Sequence, residues 1–308
     1  MNRKVAVIGA GNVGASCAQY LAETNLADVV MVDIIDGLPQ GKALDQTQAG
    51  PIRGYNCMVT GSNKYTAIKG AELVIMTAGM PRKPGMSRED LLNMNADIVK
   101  TAAQNIKKYA PKAYVIVVSN PLDIMTYHMR RVTGFPPSRV CGQAGILDST
   151  RFRAFIAMEL GVAMADVQAM VLGGHGDTMV PLPRYTTVGG IPIKELIPAN
   201  RIKEISDRTR MGGGEIVKLL KKGSAYYAPA AASVQMARSI LCDEKRVVPA
   251  SAMLSGQYGI KDIYIGVPVV LGAKGVEKII ELKLTKSELT ALKTSAKKYR
   301  GVLKEIGY

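Results

Sequence analysis

Asp148 and Arg151 stand three residues apart in "GILDSTRFR", a segment with helical spacing, so both side chains project from one helix face. Further on, "LGGHGDT" places His175 between glycines, which allow close backbone approach. A histidine, a carboxylate and an arginine are the parts needed to move a hydride between a nicotinamide and a hydroxy acid. The histidine takes the hydroxyl proton as hydride leaves. The carboxylate fixes the histidine tautomer and stabilises the imidazolium that forms. The arginine clamps a substrate carboxylate bidentately and sets the angle of attack. On spacing alone, plainer readings stay open: a helix surface pair for Asp148 and Arg151, and a turn histidine for His175.

A second concentration of charge is "MPRKPGMSRED", residues 80–90. Two prolines and a glycine make it a loop that enters a helix. Arg82 and Arg88 lie six residues apart, Lys83 adds a third cation, and Glu89 and Asp90 offset them at the far end. A solvated basic loop and a loop that grips an anionic substrate both fit this pattern.

"VAVIGAGNVG" supplies Gly9, Gly11 and Gly14 in G-x-G-x-x-G spacing, with Asn12 and Val13 inside the same turn. The motif follows a strand, opens a helix, and precedes a second strand ending in Asp33, nineteen residues beyond Gly14. That context is the dinucleotide-binding fingerprint. Gly9 permits the tight turn, Gly11 lets backbone approach a pyrophosphate, and Gly14 lets helix and strand pack closely. The helix N-terminus offers free N–H groups to the phosphates. Asp33 would accept ribose hydroxyls and repel a 2′-phosphate, favouring NAD over NADP. A glycine-rich turn without ligand is the alternative.

The elements that must position these groups follow from periodicity. Through residue 145, Val- and Ile-rich runs ("KVAVIG", "VVMVD", "AELVIMTAG", "AYVIVVSN") alternate with helical segments. This is the pattern of a parallel sheet buried on both faces, and right-handed crossovers make it a Rossmann-type doubly wound sheet. Residues 146–308 mix patterns and are expected to form an α+β domain. They offer a helix from "DSTRFRAFIAMELG", a strand from "VQAMVLGG" and a hairpin across Gly189-Gly190. Helices over 200–220 and 229–241 and strands from "ASAMLSGQYG" and "IYIGVPVVLG" follow. The capping box "TKSE" opens a final amphipathic helix. No linker long enough to separate the halves is apparent.

The formal charge is +15, from 40 basic and 25 acidic residues, but the lysines are dispersed without an aromatic-interleaved basic run. Nucleic acid is therefore not expected as a partner. Four scattered cysteines and two histidines exclude a metal-ligand cluster and fit a reducing compartment, the cytoplasm. The N-terminus has the basic start and apolar run of a signal peptide, yet its spaced glycines are better explained by a strand and turn. No run reaches membrane-spanning length.

"GAGNVG", "VVMVD", "TAGMPRKPGMSR", "VSNPLD", "GILDSTRFR", "LGGHGDTMVPL" and "GSAYYAPAA" occur in the order and spacing of the malate and lactate dehydrogenase family. The chain resembles this 2-hydroxy-acid dehydrogenase family end to end, and most closely its lactate-dehydrogenase-like malate dehydrogenase branch. The resemblance implies NAD as cofactor, reversible conversion of malate to oxaloacetate, and a symmetric homo-oligomer, a tetramer. It implies that His175 is the proton acceptor, Asp148 its partner and Arg151 the clamp on the C1 carboxylate. Asn120 would lie near the reacting oxygen and the nicotinamide, while Asn95 and Val118 to Asn120 match cofactor-contacting positions. "MPRKPGMSR" matches a mobile lid, in which Arg88 polarises the carbonyl and Arg82 faces the second carboxylate of the substrate. Lys83 and His128 match no functional position. A lactate or dual-specificity enzyme and a non-catalytic dinucleotide-binding protein are the rival readings.

Overall fold

Short β-branched runs become the strands of one large sheet in a computed structural model that describes residues 3–80 and 87–308, with the backbone alone at Arg88. The N-terminal half supplies β1 (Lys4–Ile8), β2 (Asp28–Val32), β3 (Val59–Ser62), β4 (Leu73–Met76), β5 (Tyr114–Val117) and β6 (Val140–Gly142). Between them run α1 (Asn12–Glu23), α2 (Leu38–Arg53), α3 (Arg88–Tyr109) and α4 (Leu122–Thr133). The strands pair in the order β3-β2-β1-β4-β5-β6, all parallel. Strand order reverses between β1 and β4, and in such sheets ligands bind beyond the carboxyl ends of the strands at that point. β1, β2 and β4 are buried nearly throughout because helices cover both sheet faces.

The second half contains α5 (Ala144–Leu160), β7 (Val167–Gln168), β8 (Val171–Leu172), β9 (Val180–Pro181), β10 (Thr187–Val188) and β11 (Ile191–Pro192). It continues through α6 (Ile193–Leu196), α7 (Ala199–Leu220), α8 (Tyr227–Leu241), β12 (Arg246–Ser255), β13 (Lys261–Gly272), β14 (Gly275–Ile279) and α9 (Lys286–Glu305). Its long strands do not form a separate sheet. β12 joins β6 antiparallel through Ser251 and Gly142, and β13 and β14 extend the same sheet. A division at 145/146 falls within the first turn of α5.

Two local details matter for the site. The stretch "VQAMVLGG", expected as one strand, is split, because β7 pairs with β10 while β8 pairs with β9 in a different sheet. The chain thus changes partners at Ala169–Met170 and directs Gly173–Gly176 toward α5. The Gly189-Gly190 hairpin forms, both residues at positive φ as a tight two-residue turn requires. The capping box of α9 also forms, Thr285 Oγ1 accepting from the Glu288 N–H at 3.2 Å. It starts a helix whose Leu292, Ala296, Tyr299 and Leu303 are buried.

Candidate active site

The glycine turn sits at the end of β1. Gly9 has φ +100, and a Cβ there would lie 2.7 Å from the Ala78 nitrogen. A Cβ on Gly14 would overlap the Gly9 carbonyl oxygen, so α1 reaches β1 only because both positions lack side chains. A Cβ on Gly11 would meet nothing within 4 Å. That open side, above the N-terminus of α1, fits an approaching pyrophosphate. Asn12 and Val13 are the first two residues of α1.

Asp33 follows β2 and leans back to the turn. The Ala10 N–H donates to its Oδ2 at 2.6 Å and the Ile35 N–H to its Oδ1 at 3.0 Å. A carboxylate has about four acceptor sites, so capacity remains for a ribose diol beside the exposed Ile34. Lys42, from α2, donates to the Ala10 carbonyl at 2.8 Å and closes the turn from behind. Sequence reading missed this lysine, which no motif marks. Replacing Asp33 with serine removes the charge that would oppose a 2′-phosphate. The ratio of kcat/KM with NADP to that with NAD is expected to rise about 10-fold or more. An unchanged ratio would remove Asp33 from cofactor discrimination.

The second cluster forms where α5 faces the turn after β8. Asp148 is buried on α5, and Ser149 beside it accepts the Val171 N–H at 3.0 Å, fixing α5 against β8. His175 Nδ1 lies 3.0 Å from Asp148 Oδ2, and Arg151 Nη1 lies 3.5 Å from Asp148 Oδ1. A carboxylate only accepts, so Nδ1 carries the proton and Nε2 is left as the base. The His175 side chain is 17 % exposed and that of Arg151 12 %. Burial pushes the imidazole toward its neutral form, but the charge and hydrogen bond of Asp148 outweigh this and leave its pKa raised. The buried Arg151 Nε–H has no partner among the described residues, a donor suited to a substrate carboxylate.

Beyond β5 the chain crosses a cis Asn120–Pro121 bond into α4. Val118 is half-buried and Asn120 exposed. Asn95, on α3, is buried, with its amide engaged internally: it accepts the Met80 N–H at 2.7 Å and donates to the Asn120 carbonyl at 2.8 Å. It thereby ties the chain entering the basic loop to the end of β5. Ser87 caps α3 in a capping box with Asp90, and Arg88 is the first helical residue. Arg82 and Lys83 lie outside the described residues, as does the Arg88 side chain. His128 is buried in α4 between Tyr308 (2.8 Å) and the Ala96 carbonyl (3.1 Å).

Sequence reading also missed Asp123, in the first turn of α4. Its carboxylate is 1 % exposed, accepts the His175 N–H at 2.9 Å and accepts the Ser251 hydroxyl at 2.6 Å. Burial pushes its pKa up to about 6 against those hydrogen bonds. The pattern "VSNPLD" contains it, but nothing in the pattern reveals a partner 52 residues away.

Comparison with known proteins agrees with this layout. The lactate/malate dehydrogenase NAD binding domain family matches residues 3–142, and the lactate/malate dehydrogenase alpha/beta C-terminal domain family matches 146–307. Malate dehydrogenase of Thermomicrobium roseum is 59 % identical over 300 residues, covering 97 % of each chain. That of Methanosarcina mazei is 57 % identical, covering 96 % of this chain and 97 % of its own. The solved malate dehydrogenase of Salinibacter ruber superposes with a TM-score of 0.95 at 51 % identity, covering 98 % of this chain and 97 % of its own. Lactate dehydrogenase of Cryptosporidium parvum, solved with lactic acid and NAD, gives 0.96 at 46 % identity, covering 100 % of this chain and 99 % of its own. With the glycine turn, Asp33 and the His175–Asp148–Arg151 cluster in one frame, the chain belongs to the lactate/malate dehydrogenase family.

Proposed function

We propose that this chain interconverts malate and oxaloacetate with NAD. The observation that carries the chemistry is the 3.0 Å contact from His175 Nδ1 to Asp148, with Arg151 buried on the same carboxylate. When bound at the glycine turn, NAD supplies the acceptor for the hydride. Asp148 holds Nδ1 protonated, so Nε2 takes the hydroxyl proton of malate and returns it in the reverse direction. Arg151 grips the carboxylate next to the reacting carbon and fixes its orientation. Arg88, at the start of α3, is assigned to the carbonyl oxygen, where charge builds in the transition state. Arg82 is assigned to the second carboxylate of the dicarboxylate. Asn120, at the end of β5, is assigned to the reacting oxygen and, with Val118 and Asn95, to the nicotinamide side.

Residues 1–145 serve as the NAD-binding unit and 146–308 as the substrate-binding unit. A symmetric homotetramer is the assembly proposed, for which exposed Leu44 and Ile52 on α2, Met158 on α5 and Leu219 on α7 supply apolar surface. No helix among the described residues is long and apolar enough to cross a membrane, and the described cysteines are free, which suits a cytoplasmic location.

NADH oxidation by the purified protein, with oxaloacetate and pyruvate compared side by side, tests the proposal. Oxaloacetate is expected to be preferred in kcat/KM by about 10³-fold. Preference for pyruvate would make this a lactate enzyme with the same proton acceptor. Activity on neither, with NADH still bound, would leave a dinucleotide-binding protein.

A further inference from the structure

The turn that carries His175 is held at three backbone points. The Gly174 N–H donates to Ser295 Oγ at 2.9 Å, and the Tyr299 hydroxyl donates to the His175 carbonyl at 2.7 Å. Both partners come from the inner face of α9, and a Cβ on Gly174 would overlap the Tyr299 ring. The third point is the His175 N–H, which donates to Asp123 on α4. A neutral oxygen would satisfy one N–H, whereas burying a carboxylate carries a large desolvation cost. The hydrogen bonds that the Asp123 carboxylate accepts come from Ser251 and His175, both neutral donors. The protonated imidazole of His175 attracts that charge and Asp148 opposes it.

We propose that Asp123 is a positioning residue for the reaction: it fixes the backbone of His175 and adds a second negative charge, after Asp148, that stabilises the imidazolium. The inference rests on His175 being the proton acceptor. The charged and titratable groups facing the imidazole are Asp148 and Arg151 from α5, Asp123 from α4 and Tyr299 from α9. The Lys298–Asp177 ion pair (2.7 Å) lies just beyond. Burial pushes the Asp123 carboxyl up to about 6, and its hydrogen bond to the His175 backbone keeps it close to the imidazole, so the two protonation equilibria are linked. Negative charge on Asp123 favours imidazolium, so neutralising it must move the His175 titration to lower pH.

With two histidines in the chain, isotope-labelled imidazoles give two signals, and His128→Gln assigns them. Asp123→Asn keeps an acceptor for the His175 N–H while removing the charge. The His175 midpoint is expected to move to lower pH, with kcat/KM for oxaloacetate reduction at neutral pH, which needs the imidazolium, reduced about 10-fold. Asp123→Ala, which also loses the acceptor, is expected to lose about 10²-fold. Ser251→Ala leaves the carboxylate but destabilises its charge, so it moves the midpoint the same way by less, and it serves if Asp123→Asn does not fold. An unmoved midpoint in the folded variant would overturn the inference, whether or not activity falls, because a purely structural role predicts that result. Full activity in His175→Asn would instead overturn the underlying assignment of the proton acceptor.

Discussion

Replacing His175 with asparagine lowers kcat for malate oxidation by about 10³-fold, with NADH affinity unchanged. Asparagine can still donate an N–H toward Asp148, and its backbone N–H can still reach Asp123, so the turn keeps its three backbone anchors. It cannot accept the hydroxyl proton, so the loss falls on the chemical step. The glycine turn and Asp33, to which cofactor binding is assigned by proposal, share no hydrogen bond with this cluster among the described residues. Wild-type pH dependence checks the same assignment. Burial alone would move the His175 pKa below its ordinary value of 6.5, but Asp148 more than reverses this. Malate oxidation needs the neutral imidazole, so kcat/KM falls as pH drops through that raised pKa. Oxaloacetate reduction needs imidazolium, so its kcat/KM falls as pH rises through it. The residual activity of the asparagine variant should show neither limb. An intact acid limb in the variant would mean that another group takes the proton.

How far the site could be read from the sequence depended on how local each contact is. The glycine turn and Asp33 were legible because strand, turn and helix are contiguous, and each glycine acts on backbone within a few residues or on the adjoining strand. Asp148 and Arg151 were legible as a pair, because three-residue spacing puts them on one face of α5. Their meeting with His175 was implied by the family resemblance alone and not by spacing. It depends on β8 docking against Ser149 and on the chain switching sheets after β7, which no periodicity marks. Asp123 and Ser251 meet across 128 residues, through the antiparallel junction of β6 and β12 that fuses the two halves. A sequence read as two successive domains does not suggest that junction. "MGGGE" within α7 is similarly opaque, since each glycine weakens a helix by about 1 kcal/mol. The structure supplies the reason for two of them. A Cβ on Gly212 would press on Arg151 Cδ at 3.2 Å, and one on Gly213 would stand 3.5 Å from both terminal guanidinium nitrogens. The bare helix face is where the Arg151 guanidinium lies.

Arg82→Gln is expected to lower kcat/KM for oxaloacetate by about 10³-fold while changing that for pyruvate by about threefold or less. The backbone frame does not choose between these substrates, because the Cryptosporidium parvum lactate dehydrogenase superposes on the whole chain as closely as malate dehydrogenases do. The groups proposed to serve both substrates, His175 as proton acceptor and Arg151 on the C1 carboxylate, are in that frame. The choice must therefore lie with side chains that meet what differs: a carboxylate in oxaloacetate, a methyl group in pyruvate. Residues 81–86 are bracketed by fixed points. Asn95 holds Met80 on one side, and the Ser87–Asp90 capping box holds the start of α3 on the other. This short span carries the assigned Arg82. A cation facing a methyl group loses hydration without gaining a partner, which penalises pyruvate. A site built for a polar group rejects an analogue lacking it by about 10⁴-fold or more, and an arginine that stays partly hydrated should fall short of that limit. The measurement is kcat/KM on both substrates for wild type and variant at one pH and salt concentration. Equal losses on both would remove Arg82 from specificity. A loss confined to oxaloacetate would place the choice of substrate in one side chain, on a scaffold that lactate and malate enzymes share.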